Sequence, residues 1–188
     1  METKSERARR NGPPTFDHLK KKQKRTKKVP IHLDDEVAAE VEQLRTEREQ
    51  WKITLARSGG DRDTPFPRQD ELDAALERLR ASTVEMTFQS LGRRAYDELV
   101  EAHPPTDAQK EEAREQAKRD GQDPDTVYLP YDVEEFPIQL IAASCIEPQM
   151  TVPQVRELWD EWSTTDLTTL FMAALEVNTQ RRVVDLGE

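Results

Sequence analysis

The sequence has few of the residues from which catalytic and metal sites are built. One cysteine, Cys145, occurs in 188 residues, which excludes a disulfide within the chain and a cysteine-rich zinc site. The three histidines, His18, His32 and His103, are not at metal-ligand spacing. The chain lacks a glycine-rich phosphate loop, a nucleophile elbow and a two-histidine zinc helix. We therefore expect a binding protein that is not an enzyme and uses no metal or cofactor.

Long apolar runs are also missing. No stretch approaches the roughly 20 apolar residues that cross a bilayer, and the N-terminus lacks the apolar centre of a signal peptide. The chain is 35% hydrophobic and 35% charged, with a mean hydropathy of −0.90. We therefore expect a cytosolic protein without membrane contact that packs only part of its length into a core.

Charge is unevenly distributed. Residues 1–28 carry 11 Lys or Arg and 3 Asp or Glu, a net charge of +8, which leaves −18 for the rest of a chain whose total is −10. This composition favours a basic disordered tail, with electrostatic binding as the alternative. The run KKKQKRTKK, residues 20–28, contains no aromatic residue that could stack on bases, which argues against nucleic acid. Its candidate electrostatic residues are Lys20, Lys21, Lys22, Lys24, Arg25, Lys27 and Lys28.

Residues 29–83 are predicted to form a short strand and a helical hairpin. The sequence VPIHL alternates in the manner of a strand, and Pro30 favours a sheet edge. Asp34 is a candidate N-cap for the first helix. Narrow apolar seams follow at Val37, Val41, Leu44, Trp51 and Leu55, and then at Leu72, Leu76 and Leu79. An intervening loop with Gly and Pro favours an antiparallel hairpin; one kinked helix, or a poorly ordered partner, is the alternative.

Residues 84–182 are predicted to form a small helical domain. It opens with a second strand, VEMTF, and a helix that Ser90 could cap and that HPPT ends. Residues 107–125 are highly charged, which indicates an exposed helix or a mobile insertion. A central helix, apolar on most sides, is predicted over Phe136–Ile146.

Two short helices should complete that domain. Thr151 and Gln154 match a capping box for the first, and Ser163 is a candidate cap for the second. Residues 183–188 are expected to be a flexible terminus. The fold class is therefore mainly α, with a helical hairpin followed by a small helical domain and one or two short β-strands that could pair.

Three segments carry a resemblance to a known family. FQSLGRRAYDELVEAHPPT opens a helix at Leu91–Gly92–Arg93–Arg94 and stops it at His103–Pro104–Pro105. FPIQLIAASCIEPQMTVPQVRELWDEW starts a helix at Phe136–Pro137, and LTTLFMAALEVNTQ contains the pattern LF-x-AA-x-x-VN. In this order they resemble the tail assembly chaperones of long-tailed, siphovirus-type phages of actinobacteria and related prophages. The resemblance covers roughly residues 84–182.

The resemblance implies an assembly factor in the cytoplasm of a bacterial host. Such a protein binds the tape measure protein, keeps its long apolar helices soluble, brings tail tube subunits to it and is absent from the mature virion. The family often makes a longer product by translational frameshifting, and the charged end TQRRVVDLGE is consistent with a junction there. The implied partners are the tape measure protein, the tail tube protein and the longer form, and we also expect self-association.

The stretch from Leu158 to Asn178 gathers two of the three tryptophans with a Phe and a Met. These side chains either form the domain core or leave surplus apolar surface on the last two helices, where an amphipathic client helix could bind. The second interpretation predicts a client-binding surface at Trp159, Trp162, Leu167, Leu170 and Phe171.

Two other functions remain as alternatives. A basic arm, a strand and a helix from Asp34 could belong to a DNA-binding regulator of the ribbon-helix-helix type, but such a module needs a turn after three or four helical turns. No break signal interrupts the seam between Val37 and Leu55. A structural or scaffold component of the phage tail, assembled through the helical hairpin, is the second alternative.

Overall fold

A computed structural model describes residues 15–61 and 63–179, and both the first half of the predicted tail and the predicted flexible C-terminus lie outside these residues. In chain order the elements are α1 (Phe16–Lys20), β1 (Thr26–His32), α2 (Asp35–Arg57), α3 (Gln69–Ala81), β2 (Thr83–Gln89), α4 (Arg93–Ala102), α5 (Asp107–Arg119), a 3-10 turn (Pro124–Thr126), α6 (Glu135–Ser144), β3 (Cys145–Glu147), α7 (Val152–Glu161) and α8 (Thr164–Thr179). The predicted mainly helical class is confirmed.

The strands form one antiparallel sheet in the order β1-β2-β3. β1 pairs with β2 along its whole length, from Thr26 opposite Gln89 to His32 opposite Thr83. The two predicted strands therefore do pair. Pro30 lies on an edge strand, as predicted, where a residue without an N–H is tolerated.

β1 begins three residues earlier than predicted, and Thr26–Lys28 belong to the sheet rather than to a disordered tail. The alternation that places Val29 and Ile31 in the core extends back to Lys27. The Lys27 ammonium forms an ion pair with Glu176 of α8. A lysine can occupy such a position because its aliphatic stem covers apolar surface while its charged end reaches a partner.

The third strand was missed, because the central helix was predicted to continue through Cys145 and Ile146. α6 ends at Ser144, and the chain then extends so that Cys145 lies opposite Phe88 of β2. A short apolar run has no periodicity that separates a buried helix from a buried strand. The thiol of Cys145 is buried, as predicted, and burial raises its pKa.

The main core lies between one face of the sheet and helices α6, α7 and α8. α6 occupies its centre, which confirms the predicted central helix, and Pro137 sits in the first turn as expected. The fully buried large side chains of this core are Phe88, Phe136, Leu140, Ile141, Val155 and Leu170. This packing holds α8 against the sheet and α7 against α6.

A second core lies inside the helical hairpin of α2 and α3. Its buried residues are Val37, Val41, Leu44, Leu72, Ala75 and Leu79. Arg78 contacts Glu40 at 2.8 Å and Arg68 contacts Glu47 further along, so the helices run antiparallel and pair within one chain. The hairpin prediction is confirmed.

The hairpin joins the ends of two paired strands. The N–H of Leu33 donates to the carbonyl of Ser82 just beyond the last β1–β2 pair. The sequence analysis placed β1 in one region, residues 29–83, with the hairpin. In the structure, Val29 and Ile31 of β1 pack in the main core with Met86 and Phe88, so β1 belongs to the main core. The hairpin alone, residues 35–81, is therefore an insertion between β1 and β2.

Three of the four predicted helix caps are present. Asp34 accepts the N–H of Val37 at 3.0 Å, Thr151 forms its capping box, and Ser163 accepts the N–H of Asp166 at 3.2 Å. The Ser90 cap is wrong. The N-cap of α4 is Gly92, which has no side chain to cap the helix. Its φ of 94° lies in the left-handed region that a residue with a Cβ rarely adopts.

Asn178 links three parts of the main core. Its side-chain oxygen accepts the N–H of Leu91 at 2.8 Å, and its amide donates to the Ser144 hydroxyl at 3.1 Å and the Ala174 carbonyl at 2.8 Å.

We expect Asn178→Ala to lower the free energy of unfolding by about 1–3 kcal/mol, because part-buried and buried polar groups lose their partner. Urea unfolding measures the loss. Thr179→Ala, at an exposed position of the same turn, is the control, and equal losses would contradict this role.

Candidate interaction surface

Four aromatic rings meet beside α6. Tyr131 stacks on Phe136 with ring centroids 4.0 Å apart, and Phe171 approaches both edge-on at 6.2 and 6.4 Å. Tyr96 also meets Phe136 edge-on, at 6.1 Å. Burial raises the pKa of Tyr131 and of Tyr96. Edge-on and offset pairs of this kind stabilise packing beyond the area that they bury, so the inner side of Phe171 belongs to the core.

Leu167 and Leu170 do not lie on a client-binding surface. Their side chains are 7% and 1% exposed, and both belong to the inward stripe of α8. The helical spacing that suggested a common surface instead turns these two leucines toward the protein interior. The prediction is corrected for this pair: they hold α8 in place.

The other three predicted client-binding residues are half-buried. Trp159, Trp162 and Phe171 each pack one side against the main core and keep another side accessible. Met172, next to Phe171, is exposed. Large apolar side chains that remain partly exposed on adjacent helices are typical of surfaces that bind another protein.

The chain reverses direction between α7 and α8 at Trp162. The Trp162 N–H donates to the Leu158 carbonyl at 2.8 Å, and Ser163 caps the next helix. This corner faces the end of β1 and the start of α2 across a shallow groove, which we call the corner groove. The apolar side chains that line it are Ile31, Leu33 and Trp162, and its three carboxylates, here called the rim, are Asp35, Glu161 and Asp166. His32 and Ser163 complete the lining, so the groove is apolar only in part.

Two residues of the predicted electrostatic tail already have partners inside the sheet. Lys27 pairs with Glu176 of α8, and Lys28 pairs with Glu85 on the neighbouring strand. The hydrogen bond to Glu85 raises the pKa of Lys28. These two lysines therefore stabilise the sheet locally, and the prediction that they form part of a free basic arm is wrong.

The remaining basic residues lie at the opposite end of β1 from the corner groove. Lys22, Lys24 and Arg25 line a cleft with Arg93 at the start of α4. Lys21 is exposed beside them. The backbone carbonyl of Arg25 accepts the N–H of Ser90 at 2.9 Å, which anchors this segment to the sheet.

α1, just before this basic segment, was missed because the region was interpreted as tail. Phe16 and Leu19 lie three residues apart, on one face of the short helix, and are 70% and 68% exposed. The Lys20 ammonium lies 4.7 Å from the centre of the Phe16 ring. The sequence feature that could have predicted α1 is the pair of large apolar residues, Phe16 and Leu19, directly before the three lysines at 20–22.

Comparison of the chain with protein-family models, with curated proteins and with solved structures found no match in any of the three. Within residues 15–61 and 63–179, no group of three or more His, Cys, Asp or Glu side chains could hold a metal ion. No helix in the same part of the chain is both long enough and apolar enough to span a bilayer. The accessible aromatic residues Trp159, Trp162 and Phe171 are the features on which the functional proposal rests.

Proposed function

We propose that this protein is a phage tail assembly chaperone that binds the tape measure protein and keeps it soluble. The observation that carries the proposal is the set of half-buried and exposed apolar side chains along α7, the α7–α8 corner and α8, here called the α7–α8 band: Trp159, Trp162, Phe171 and Met172. An amphipathic client helix needs such a band to cover its own apolar face. The band lies within the part of the chain that resembles these chaperones.

Charge supports the same role. Glu157, Asp160 and Glu161 are exposed along α7, next to the aromatic side chains. Carboxylates at the rim leave the apolar centre free for contact and repel other acidic complexes, which limits non-specific aggregation. In this proposal the protein works in the cytoplasm of a bacterial host, helps to recruit tail tube subunits and is absent from the mature virion.

The DNA-binding alternative fits the described geometry less well. A ribbon-helix-helix regulator needs its second helix after three or four turns, whereas α2 continues for 23 residues. Its strand must also be free to build a ribbon that enters a groove, whereas β1 is paired along its length with β2 of the same chain. A structural tail component would differ from a chaperone by remaining in purified particles.

Co-expression with the tape measure protein of the same phage tests the proposal. We expect the wild-type chain to keep this client soluble and to copurify with it in several copies. The Trp159→Ala/Met172→Ala variant should lose at least about tenfold in affinity, because each side chain removes apolar contact area. Neither position is fully buried, so the variant should still fold.

Tyr128→Ala is the matched control, because Tyr128 is 80% exposed and lies outside the α7–α8 band. It should support client solubility like the wild type. If the wild-type chain neither solubilises nor binds the tape measure protein, the proposal fails. If both variants bind as well as the wild type, the chaperone role survives but the α7–α8 band is not its binding surface.

A further inference from the structure

The two ends of β1 carry surfaces of opposite character. Before the strand, α1 exposes Phe16 and Leu19, and Lys21 and Lys22 follow directly. Beyond the other end, the corner groove exposes Leu33, at 60%, next to the half-buried Trp162. One surface therefore offers apolar side chains with positive charge, and the other offers two accessible apolar side chains beside three carboxylates.

We propose that the corner groove binds α1 of a second copy of this chain. Phe16 and Leu19 would cover Leu33 and Trp162, and the lysines would face the carboxylates of the rim. Apolar burial supplies the attraction in such a contact, and the opposite charges fix its direction. The contact is a helix-in-groove docking with both halves present on one sequence.

The same chain does not fill its own groove. None of the described residues of α1 lines the groove, and Phe16 and Leu19 are 70% and 68% exposed. The N–H of Ser90 donates to the Arg25 carbonyl, which holds the segment after α1 at the far end of β1. The eight residues from Arg25 to Leu33 span about 26 Å along the strand. A neighbouring copy can therefore supply the anchors that this groove lacks.

The contact joins two different surfaces of the chain, so it is a heterologous interface. Two copies can exchange α1 reciprocally, or successive copies can add head to tail. In either case the self-association does not use Phe171 or Met172, and it requires no tape measure protein. Trp162 belongs to both surfaces, so client binding and self-association compete for this side chain, but the self-association is measured without client and can hold or fail separately from the chaperone proposal.

Sedimentation velocity of the full chain, without client, tests this contact. At about 50 mM salt we expect the wild type to sediment as a dimer or a larger species, and to dissociate partly in salt of about 0.5 M, which screens the rim charges. Phe16→Ser/Leu19→Ser should weaken association by about 100-fold or more, since two exposed apolar anchors are lost. Tyr128→Ser, an equally exposed aromatic position elsewhere, should associate like the wild type.

Charge reversal then identifies the two surfaces. Lys21→Glu/Lys22→Glu and, separately, Glu161→Lys should each weaken association, while the two changes combined in one chain should restore most of it. Glu112→Lys, on the exposed face of α5, makes the same charge change away from the groove and should have no effect. A wild type that is monomeric at low salt would overturn the proposal, as would an anchor variant that associates normally or a combined variant that stays dissociated.

Discussion

Replacing Phe136 with alanine is expected to lower the free energy of unfolding by about 3–5 kcal/mol, the usual range for a large buried aromatic. Phe136 is fully buried, and three other rings contact it, with Tyr131 stacked on its face at 4.0 Å. Its removal leaves a cavity that the rigid sheet and α8 cannot fill. The loss would take much of the total stability of a typical domain, which is about 5–15 kcal/mol.

Urea unfolding followed by tryptophan fluorescence measures this loss, because Trp159 and Trp162 pack against the same core. Tyr128→Ala is the control, since its ring is 80% exposed and its removal should cost little. A loss below about 1 kcal/mol for Phe136→Ala would show that the core collapses around the missing ring, and that the aromatic cluster is not the centre of the domain.

Leu72→Ala is expected to destabilise the helical hairpin by about 2–5 kcal/mol while the main core stays folded. Leu72 is fully buried in the hairpin core, which consists of six buried side chains and shares none with the main core. Local opening of a small unit should therefore become visible before global unfolding.

Amide hydrogen exchange resolves the two units. In the Leu72→Ala variant, α2 and α3 should exchange faster, whereas β2 and α6 should keep their protection. Ile53→Ala, at an exposed position on α2, controls for a change in helix propensity and should leave the exchange pattern unchanged. Equal acceleration in the hairpin and in α6 would contradict two separable cores.

The helices were predictable because their signals are local. Asp34, Thr151 and Ser163 mark helix starts through side chains that bond to nearby backbone N–H groups, and the structure contains all three caps. Leu44 on α2 and Leu72 on α3 each belong to an apolar series with helical spacing, and both are buried accordingly. Such features depend only on residues a few positions apart, so one sequence is enough to find them.

The errors arose where distant residues decide the structure. Cys145 leaves the helix because β2 offers it a place opposite Phe88, 57 residues earlier in the chain. Lys27 lies in a strand, and its ammonium group forms an ion pair with Glu176 of α8, 149 residues later in the chain. The spacing of apolar residues shows which of them share a helix face, but it does not show whether that face is turned to the core or to the outside. Leu170 and Trp162 were therefore predicted to share one surface, although only Trp162 is accessible.

The position of the hairpin between two paired strands has a kinetic consequence. β1 and β2 first meet where His32 contacts Thr83, 51 residues away, and a loop of that length makes closure slow when the chain between them is unstructured. α2 and α3 form from local contacts and bring those two ends together. Pairing can then extend from His32 and Thr83 toward Thr26 and Gln89. We therefore expect the hairpin to act as the folding nucleus of the sheet, and slower refolding of Leu72→Ala would show it.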